Sequence, residues 1–216
     1  MIKWLIIIFL LCNHTSFAGV SVVGTRFIFN DNSKKINIKL INDNESDYLI
    51  KTDIKGADTN NFVVTPPLFI IKKNQKNIVS IIPFKINFNQ DQVFDLVFTA
   101  IPKSDIGSGN NINISVRSHF NLIYRHKEMS DNIFDQIFLI NNKDSGSLIF
   151  NSSDYFVSMY ISCNSNKVNK MNQKINIFPG DKVYIQHCNE IWGALLNDDE
   201  SLGLVNKLKI NKQDLI

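Results

Sequence analysis

The residues that could support catalysis are few, and their spacing matches no known catalytic motif. The glycine-rich stretch at 107–111 (GSGNN) is not followed by Lys and Ser or Thr, so it does not form a phosphate-binding loop. No Gly-x-Ser-x-Gly turn is present to expose a nucleophilic serine. His187 and Cys188 are neighbours, but no CxxC or HExxH supplies metal-ligand spacing. The sequence therefore gives no argument for an enzyme, a metal centre or a bound cofactor.

The N-terminal segment has the features of a secretory signal. Lys3 provides the positive charge, residues 5–11 are apolar, and SFA at 16–18 offers small residues to signal peptidase. The apolar run is shorter than the about 20 residues that a membrane span needs. Cys12 leaves a lipoprotein signal as the alternative, although Leu11 is bulkier than that cleavage tolerates. We expect residues 1–18 to be a signal peptide and the mature protein to be exported without membrane insertion.

The charge balance and the cysteines that remain after cleavage limit further what kind of protein the mature chain can be. Loss of Lys3 would leave 22 basic side chains against 20 acidic ones, which gives no argument for a nucleic-acid partner. Cys163 and Cys188 remain after cleavage, and an even pair in an exported chain favours a disulfide. Two free buried thiols are the alternative that the sequence leaves open.

Short alternating or apolar segments follow one another along the chain at a spacing typical of β-sandwiches. Turn-rich pieces such as NDNS and NDNESD separate them. The polar stretch at 126–131 divides these segments into two groups, each near the about 100 residues of an immunoglobulin-like sandwich. We predict an all-β protein with two immunoglobulin-like β-sandwich domains, at 19–125 and 132–216, joined by a linker at 126–131.

One stretch alternates more regularly than the others. The even positions from 112 to 124, apart from Ser118, are apolar, and the odd positions are polar up to Asn121. A period of two predicts a β-strand with one apolar face, and this strand would be longer than most. Packing of that face into the protein's own core is the simpler interpretation.

Several segments together resemble the periplasmic chaperones of the chaperone–usher pathway, which assemble pili. In the first half they are GTRFIF (24–29), NFVVTPPLFIIKKNQKNIVSI (61–81), VFTAIP (97–102) and NLIYR (121–125). In the second half they are SLIFNSSDYFVSM (147–159), INIFPGDKV (175–183) and ALLNDDE (194–200). The resemblance implies a non-enzymatic chaperone without a cofactor, with a cleft between its two domains. It also implies the periplasm as its location, and pilus (fimbrial) subunits and an outer-membrane usher as its partners.

The resemblance gives the alternating strand a second role. In this family the last long strand of the first domain lends apolar side chains to a pilus subunit whose own fold lacks a strand, a form of β-augmentation. By position, the resemblance implies that Ile112, Ile114 and Val116 are the inserted residues. A structural pilin or adhesin subunit is the alternative class, but GVSVVGTRF is too short for the donor extension that a pilin carries at its mature N-terminus.

The resemblance also implies an anchor for the subunit's C-terminal carboxylate, built from an arginine and a lysine in the cleft. Arg26 stands at the arginine position, whereas Asn121 stands at the lysine position and brings no charge. His119 and Arg117 lie two and four residues earlier on the same strand face. Either could reach the carboxylate, or Arg26 could act nearly alone.

The family further braces its two domains with an ion network. The matching positions in this sequence are Asp91, Arg125 and Asp198. Three unrelated surface charges are the alternative interpretation.

Overall fold

The structure, a computed structural model, describes residues 19–56, 59–84, 86, 88–104, 113–130, 132–142, 146–163, 173–185 and 190–210. The expected signal peptide at 1–18 and the expected donor residue Ile112 lie outside the described residues, as does Cys188. Among the described helices, none is long and apolar enough to cross a membrane.

The described residues of the first half form nine strands. They are β1 (Val20–Val22), β2 (Arg26–Phe29), β3 (Ile36–Asn42), β4 (Tyr48–Lys55), β5 (Phe62–Thr65), β6 (Leu68–Ile71), β7 (Lys76–Pro83), β8 (Gln92–Pro102) and β9 (Val116–Tyr124). They build one sheet in the order β1-β3-β7-β5 and a second in the order β2-β9-β8-β4-β6. A short 3-10 turn at Thr59–Asn61 precedes β5.

The two sheets of the first half pack face to face because their strands place apolar residues at every second position. The buried cluster between them draws on both sheets: Phe29, Ile38, Leu40, Ile50, Val79, Ile81, Leu96, Leu122 and Tyr124. Aromatic rings fill one end of this core, where the Phe62 and Phe94 centroids lie 4.8 Å apart in an edge-to-face arrangement.

The second half forms a similar pair of sheets. Its strands are β10 (Ile137–Asn142), β11 (Gly146–Asn151), β12 (Val157–Ser162), β13 (Gln173–Ile177), β14 (Lys182–Ile185), β15 (Trp192–Leu195), β16 (Asn206–Lys207) and β17 (Lys209–Ile210). The sheet orders are β14-β11-β10-β17 and β13-β12-β15-β16. Their shared core includes Ile137, Leu139, Ile149, Met159 and Ile177. The predicted fold class, all-β with two sandwiches, is confirmed, while the domain boundaries stay predictions.

Three predicted segments differ in detail from the observed strands. IFDQ at the start of IFDQIFLI is a 3-10 turn (Ile133–Gln136) rather than strand. The segment NFVVTPPLFII splits at Pro66-Pro67 into β5 and β6, which belong to different sheets, because proline cannot donate to a strand ladder.

The alternating strand predicted from Ile112 begins at Val116 instead. In its ladder with β8 the last pair is Val116 with Ala100, so Ile114 would lie opposite Pro102, which has no N–H to donate.

The chain changes sheets between β1 and β2. β1 pairs with β3 in the first sheet, and β2 pairs with β9 in the second. Gly24 makes the step with φ +120°, and a Cβ there would lie 3.0 Å from the Phe27 ring. The need for glycine is therefore both conformational and steric. As a consequence, β2 meets β9 only from Asn121 onward.

Candidate functional site

The two halves of β9 differ in their hydrogen-bonded neighbours. On one side the whole strand pairs antiparallel with β8, from Val116 to Tyr124. On the other side only Asn121–Tyr124 has a partner, the parallel strand β2, whose Arg26 lies opposite Asn121. Within the part of the chain that the structure describes, the β9 backbone from Val116 to Phe120 is therefore an unpaired edge. Such an edge is a template for another strand.

The exposure of the apolar side chains changes at the same place along the strand as the backbone pairing. Leu122 and Tyr124 are 0% and 1% exposed and belong to the core. Ile114 and Val116, on the same alternating face, are 72% and 55% exposed. The open edge thus carries apolar side chains that the protein's own core does not bury.

Arg26 lies where the open edge ends. Its Nη2 donates hydrogen bonds to the carbonyl oxygens of Leu196, at 3.4 Å, and Asn197, both in the second half of the chain. Its Nε and Nη1 are buried and have no hydrogen-bond partner among the described residues. Burial lowers the pKa of Arg26, partly opposed by the negative charge of Asp198. The ordinary pKa of arginine is so high that the side chain stays charged.

The other two predicted anchor residues are placed differently from each other. Asn121 is the in-register neighbour of Arg26, so the structure brings these two together. His119 does not turn to Arg26, since its Nδ1 lies 2.9 Å and 3.0 Å from the two carboxylate oxygens of Asp95. Asp95 is in turn the β8 partner of Asn121. The sequence alone did not indicate that Asp95, two strands away from Arg26 in the same sheet, is part of the site.

Asp91, Arg125 and Asp198 meet at the junction of the two halves. Arg125 Nη2 lies 2.6 Å from Asp198 Oδ1, and its Nε lies 3.1 Å from the same oxygen. Arg125 Nη1 donates to Asp91 and, over 2.8 Å, to the carbonyl oxygen of Phe156. The side chains of Arg125 and Asp91 are buried, and that of Asp198 is partly exposed.

The two aspartates at this junction stabilise the charged form of Arg125. Burial alone would lower the pKa of Arg125, but the hydrogen bonds and charges of Asp198 and Asp91 raise it above its ordinary value. The carboxylate of Asp91 also accepts the N–H of Phe156 at 2.9 Å, which ties the end of the first half to the second.

His126 is a further member that sequence reasoning missed. Its backbone N–H donates to Asp91 Oδ1 over 3.1 Å, and its Nδ1 lies 2.9 Å from the same oxygen. Its ring packs on Tyr155, with centroids 4.9 Å apart. A single histidine after a strand belongs to no sequence motif that would predict this role. Only its position next to Arg125 could have indicated it.

The last features of the site to consider are metal ligands and the cysteines. Among the described residues, no group of three or more His, Cys, Asp or Glu side chains is placed to hold a metal ion. Cys163 is disulfide-bonded, and its expected partner Cys188 lies outside the described residues.

Comparison with known proteins gives consistent matches. In curated sequences, chaperone protein FanE of Escherichia coli is 27% identical over 194 residues, covering 83% of this chain and 85% of FanE. Chaperone protein FimC of Escherichia coli is 30% identical over 122 residues, covering 52% of this chain and 51% of FimC.

Solved structures show the same fold at lower identity. The periplasmic chaperone SfaE has a TM-score of 0.70 at 21% identity, over 89% of this chain and all of that one. The SafB chaperone in complex with the SafA pilin of Salmonella enterica has a TM-score of 0.73 at 16% identity, over 91% of this chain and 99% of that one.

The family comparison is the most direct. The model of the family described as pili and flagellar-assembly chaperone, PapD N-terminal domain, matches residues 19–130, which is more than half of the chain. These matches do not favour the alternative of a structural pilin. The chain belongs to the family of pili and flagellar-assembly chaperones.

Proposed function

We propose that this chaperone captures a pilus subunit in the periplasm, completes the subunit's strand-deficient sandwich with β9, and delivers it to an outer-membrane usher. One observation carries the proposal. Among the described residues, an unpaired strand edge with exposed Ile114 and Val116 ends at the partly buried guanidinium of Arg26, whose Nε and Nη1 have no hydrogen-bond partner there. The SafB structure, solved with a pilin bound, supports a pilus subunit as the partner.

The geometry favours one direction for the captured strand. β2 runs parallel to β9 and begins at Arg26, so a strand lying along the open edge must stop there. A strand that ends with its carboxylate at Arg26 runs parallel to β9, in line with β2. Ladder hydrogen bonds then give affinity along the edge, and the carboxylate sets the register, since a ladder alone permits slippage.

The exposed apolar residues supply most of the driving force. Burying an isoleucine or valine in a subunit groove contributes roughly 1.5–3 kcal/mol for each side chain. We assign this role to Ile114 and Val116 together with Ile112, as the resemblance implies. Association and side-chain ordering take back much of the gain.

The junction residues have a supporting role in this proposal. Arg125 holds Asp198, and Arg26 holds the carbonyl oxygen of the preceding residue, Asn197. The turn of the second domain that contacts the anchor is therefore fixed by the ion network. Loss of that network would change the position of Arg26 as well as the angle between domains.

The proposal includes the processing of the chain. Residues 1–18 act as a signal peptide, Cys163 pairs with Cys188 in the periplasm, and no catalytic step takes part in capture. The intact mass of periplasmic protein tests the first two points. A start at Gly19 with a mass two hydrogens below the reduced chain is expected, whereas a lipid-modified Cys12 or two alkylatable thiols would contradict them.

The capture role is tested by periplasmic co-expression with the pilin encoded nearby, followed by pull-down. Ile114→Asp should fold and lose the subunit, because a carboxylate cannot enter an apolar groove without a large desolvation cost. Ile78→Asp is the matched control, since Ile78 is 53% exposed on β7, in the other sheet. Equal recovery of subunit by both variants would contradict the proposal.

Arg26→Ala tests the anchor in the same assay. Charge-assisted hydrogen bonds contribute about 1.5–3 kcal/mol, so capture should weaken by at least tenfold. Unchanged binding would show that the carboxylate is held elsewhere.

A further inference from the structure

We propose that the open edge of β9 also selects its partner by charge, through Arg117. This inference rests on the proposed capture of a subunit strand. The preferred strand is apolar on the face that follows Ile114 and Val116, and on its other face it carries an Asp or Glu side chain beside Arg117.

The open edge has two chemically different faces. Residues at even positions, including Val116 and Phe120, lie on the side of the protein's core. Odd positions lie on the outer side of the sheet, and there the open segment presents Arg117 and His119. A strand added to this edge aligns its own two faces with these, because paired residues of neighbouring strands share a face.

The charge of Arg117 is uncompensated on its own sheet. The side chain is exposed and makes no ion pair with any residue that the structure describes. Its β8 partner is Thr99, and the next residue across the sheet is Lys51, which pairs with Asp53 at 2.9 Å. Among the described residues, the neighbouring strands β8 and β4 thus offer Arg117 no unpaired carboxylate, and its other neighbour is the open edge.

His119 adds less net charge than its position suggests. Its ring nitrogen lies 2.9 Å from a carboxylate oxygen of Asp95, whose negative charge offsets the positive charge that this side chain can bring. Arg117 is therefore the residue that gives this face of the edge its positive character.

Arg117 is also too far from Arg26 to share the subunit's terminal carboxylate. Four residues separate Arg117 from Asn121, the partner of Arg26, which corresponds to about 13 Å along a strand. A bound strand whose last residue lies opposite His119, with its carboxylate pointing towards Arg26, would place a side chain beside Arg117 two residues before its C-terminus. An acidic residue there forms a cross-strand pair of opposite charge, which should strengthen binding about two- to fivefold.

Three synthetic peptides test the inference. Each has the same alternating apolar residues, an N-terminal fluorophore and a free C-terminal carboxylate, with Asp, Thr or Lys at the third position from the end. Binding to the full mature chaperone is measured by fluorescence anisotropy in about 50 mM salt, where screening is weak. The expected order of affinity is Asp, then Thr, then Lys.

Variants of the chaperone identify the residue responsible. Arg117→Gln should remove the preference, and Arg117→Glu should reverse it. Lys39→Glu changes the net charge equally on the exposed face of β3 in the other sheet, and should leave the order unchanged.

The outcomes separate this inference from the proposed function. Equal affinity of the three peptides, with binding lost on amidation of the C-terminus, leaves the capture mechanism intact and overturns the role of Arg117. A preference that persists in Arg117→Gln overturns it as well. Absence of binding by all three peptides overturns both.

Discussion

Both ends of β9 carry apolar residues at even positions, apart from Ser118, but the two ends have opposite environments. From Asn121 to Tyr124 the strand is paired on both sides and its apolar residues lie in the core. From Val116 to Phe120 the described residues pair with it on one side only, and Val116 and the preceding Ile114 are exposed. The difference arises where the neighbouring strand begins, at Arg26, and not from the side chains themselves. A period of two identifies an apolar face but not the protein that buries it.

Arg125, directly after the buried end, should show the largest effect. Arg125→Ala removes a partner of Asp91, whose side chain is fully buried, and leaving such a charge uncompensated costs about 3–5 kcal/mol of unfolding free energy. Asp198→Ala removes a partly exposed partner and should cost less, about 1–3 kcal/mol, because it leaves N–H groups of the buried Arg125 without a partner while Asp91 still compensates the charge.

Urea unfolding measures both variants. Without residues 1–18, the proposed signal peptide, the chain has a single tryptophan, Trp192, so its fluorescence reports on the second half while circular dichroism reports on both halves. Equal losses of unfolding free energy for the two variants would contradict the larger contribution that we expect from the buried pair of Arg125 and Asp91.

A pair of matched truncations tests the comparison within β9. Leu122→Ala should lower the free energy of unfolding by about 2–5 kcal/mol, because it leaves a cavity in the core. Ile114→Ala should change it by less than about 0.5 kcal/mol, because that side chain is mostly exposed. Circular dichroism in a urea series gives both values. A large loss for Ile114→Ala would mean that the protein's own core uses the whole strand.

Tyr124 gives the buried end a pH dependence. Burial, and then the 2.7 Å hydrogen bond to Asp31, raise the pKa of Tyr124 to about 12. Because the pKa is higher in the folded state than the about 10 of an unfolded chain, this contribution is complete below pH 10. It is lost as the pH rises towards 12.

Tyr124→Phe should therefore be less stable at pH 7 by about 1 kcal/mol. The difference in unfolding free energy between this variant and the wild type should decrease above pH 10. Urea unfolding at pH 7, 9 and 11 checks both statements, and a constant difference would contradict the assignment.

The sequence predicted most strands because each buries one face of a sheet, which imposes alternation on residues such as Ile38, Leu40 and Leu122. It did not predict the start of β9 at Val116. That boundary lies where the ladder with β8 ends, at the pair of Val116 with Ala100, and this pairing joins segments that are distant in the sequence. The open edge likewise depends on the change of sheets at Gly24, which no local pattern of β9 contains.

The site could be predicted only in part for a similar reason. The resemblance supplied Arg26, Asp91, Arg125 and Asp198, and the structure brings the last three into contact. It could not supply the contact of His119 with Asp95, because neither residue belongs to a motif and the pairing is set by the register of β8 and β9. Spatial neighbours across a sheet follow from that register, and one sequence does not determine it.

The smallest expected effect concerns the anchor end of the open edge. Asn121→Lys places a second cation beside Arg26, and an exposed pair with the subunit's carboxylate should tighten binding by about two- to fivefold. Asp95, the β8 neighbour of position 121, competes for the new lysine, so Asp95→Asn combined with Asn121→Lys should tighten binding further. The measurement is anisotropy with one peptide in free-carboxylate and amidated forms. The gain should disappear with the amidated peptide. A gain that survives amidation would assign the new contact to a side chain of the peptide and not to its terminal carboxylate. Weaker binding by Asn121→Lys would mean that repulsion between the new lysine and Arg26 exceeds the attraction of the lysine to the carboxylate.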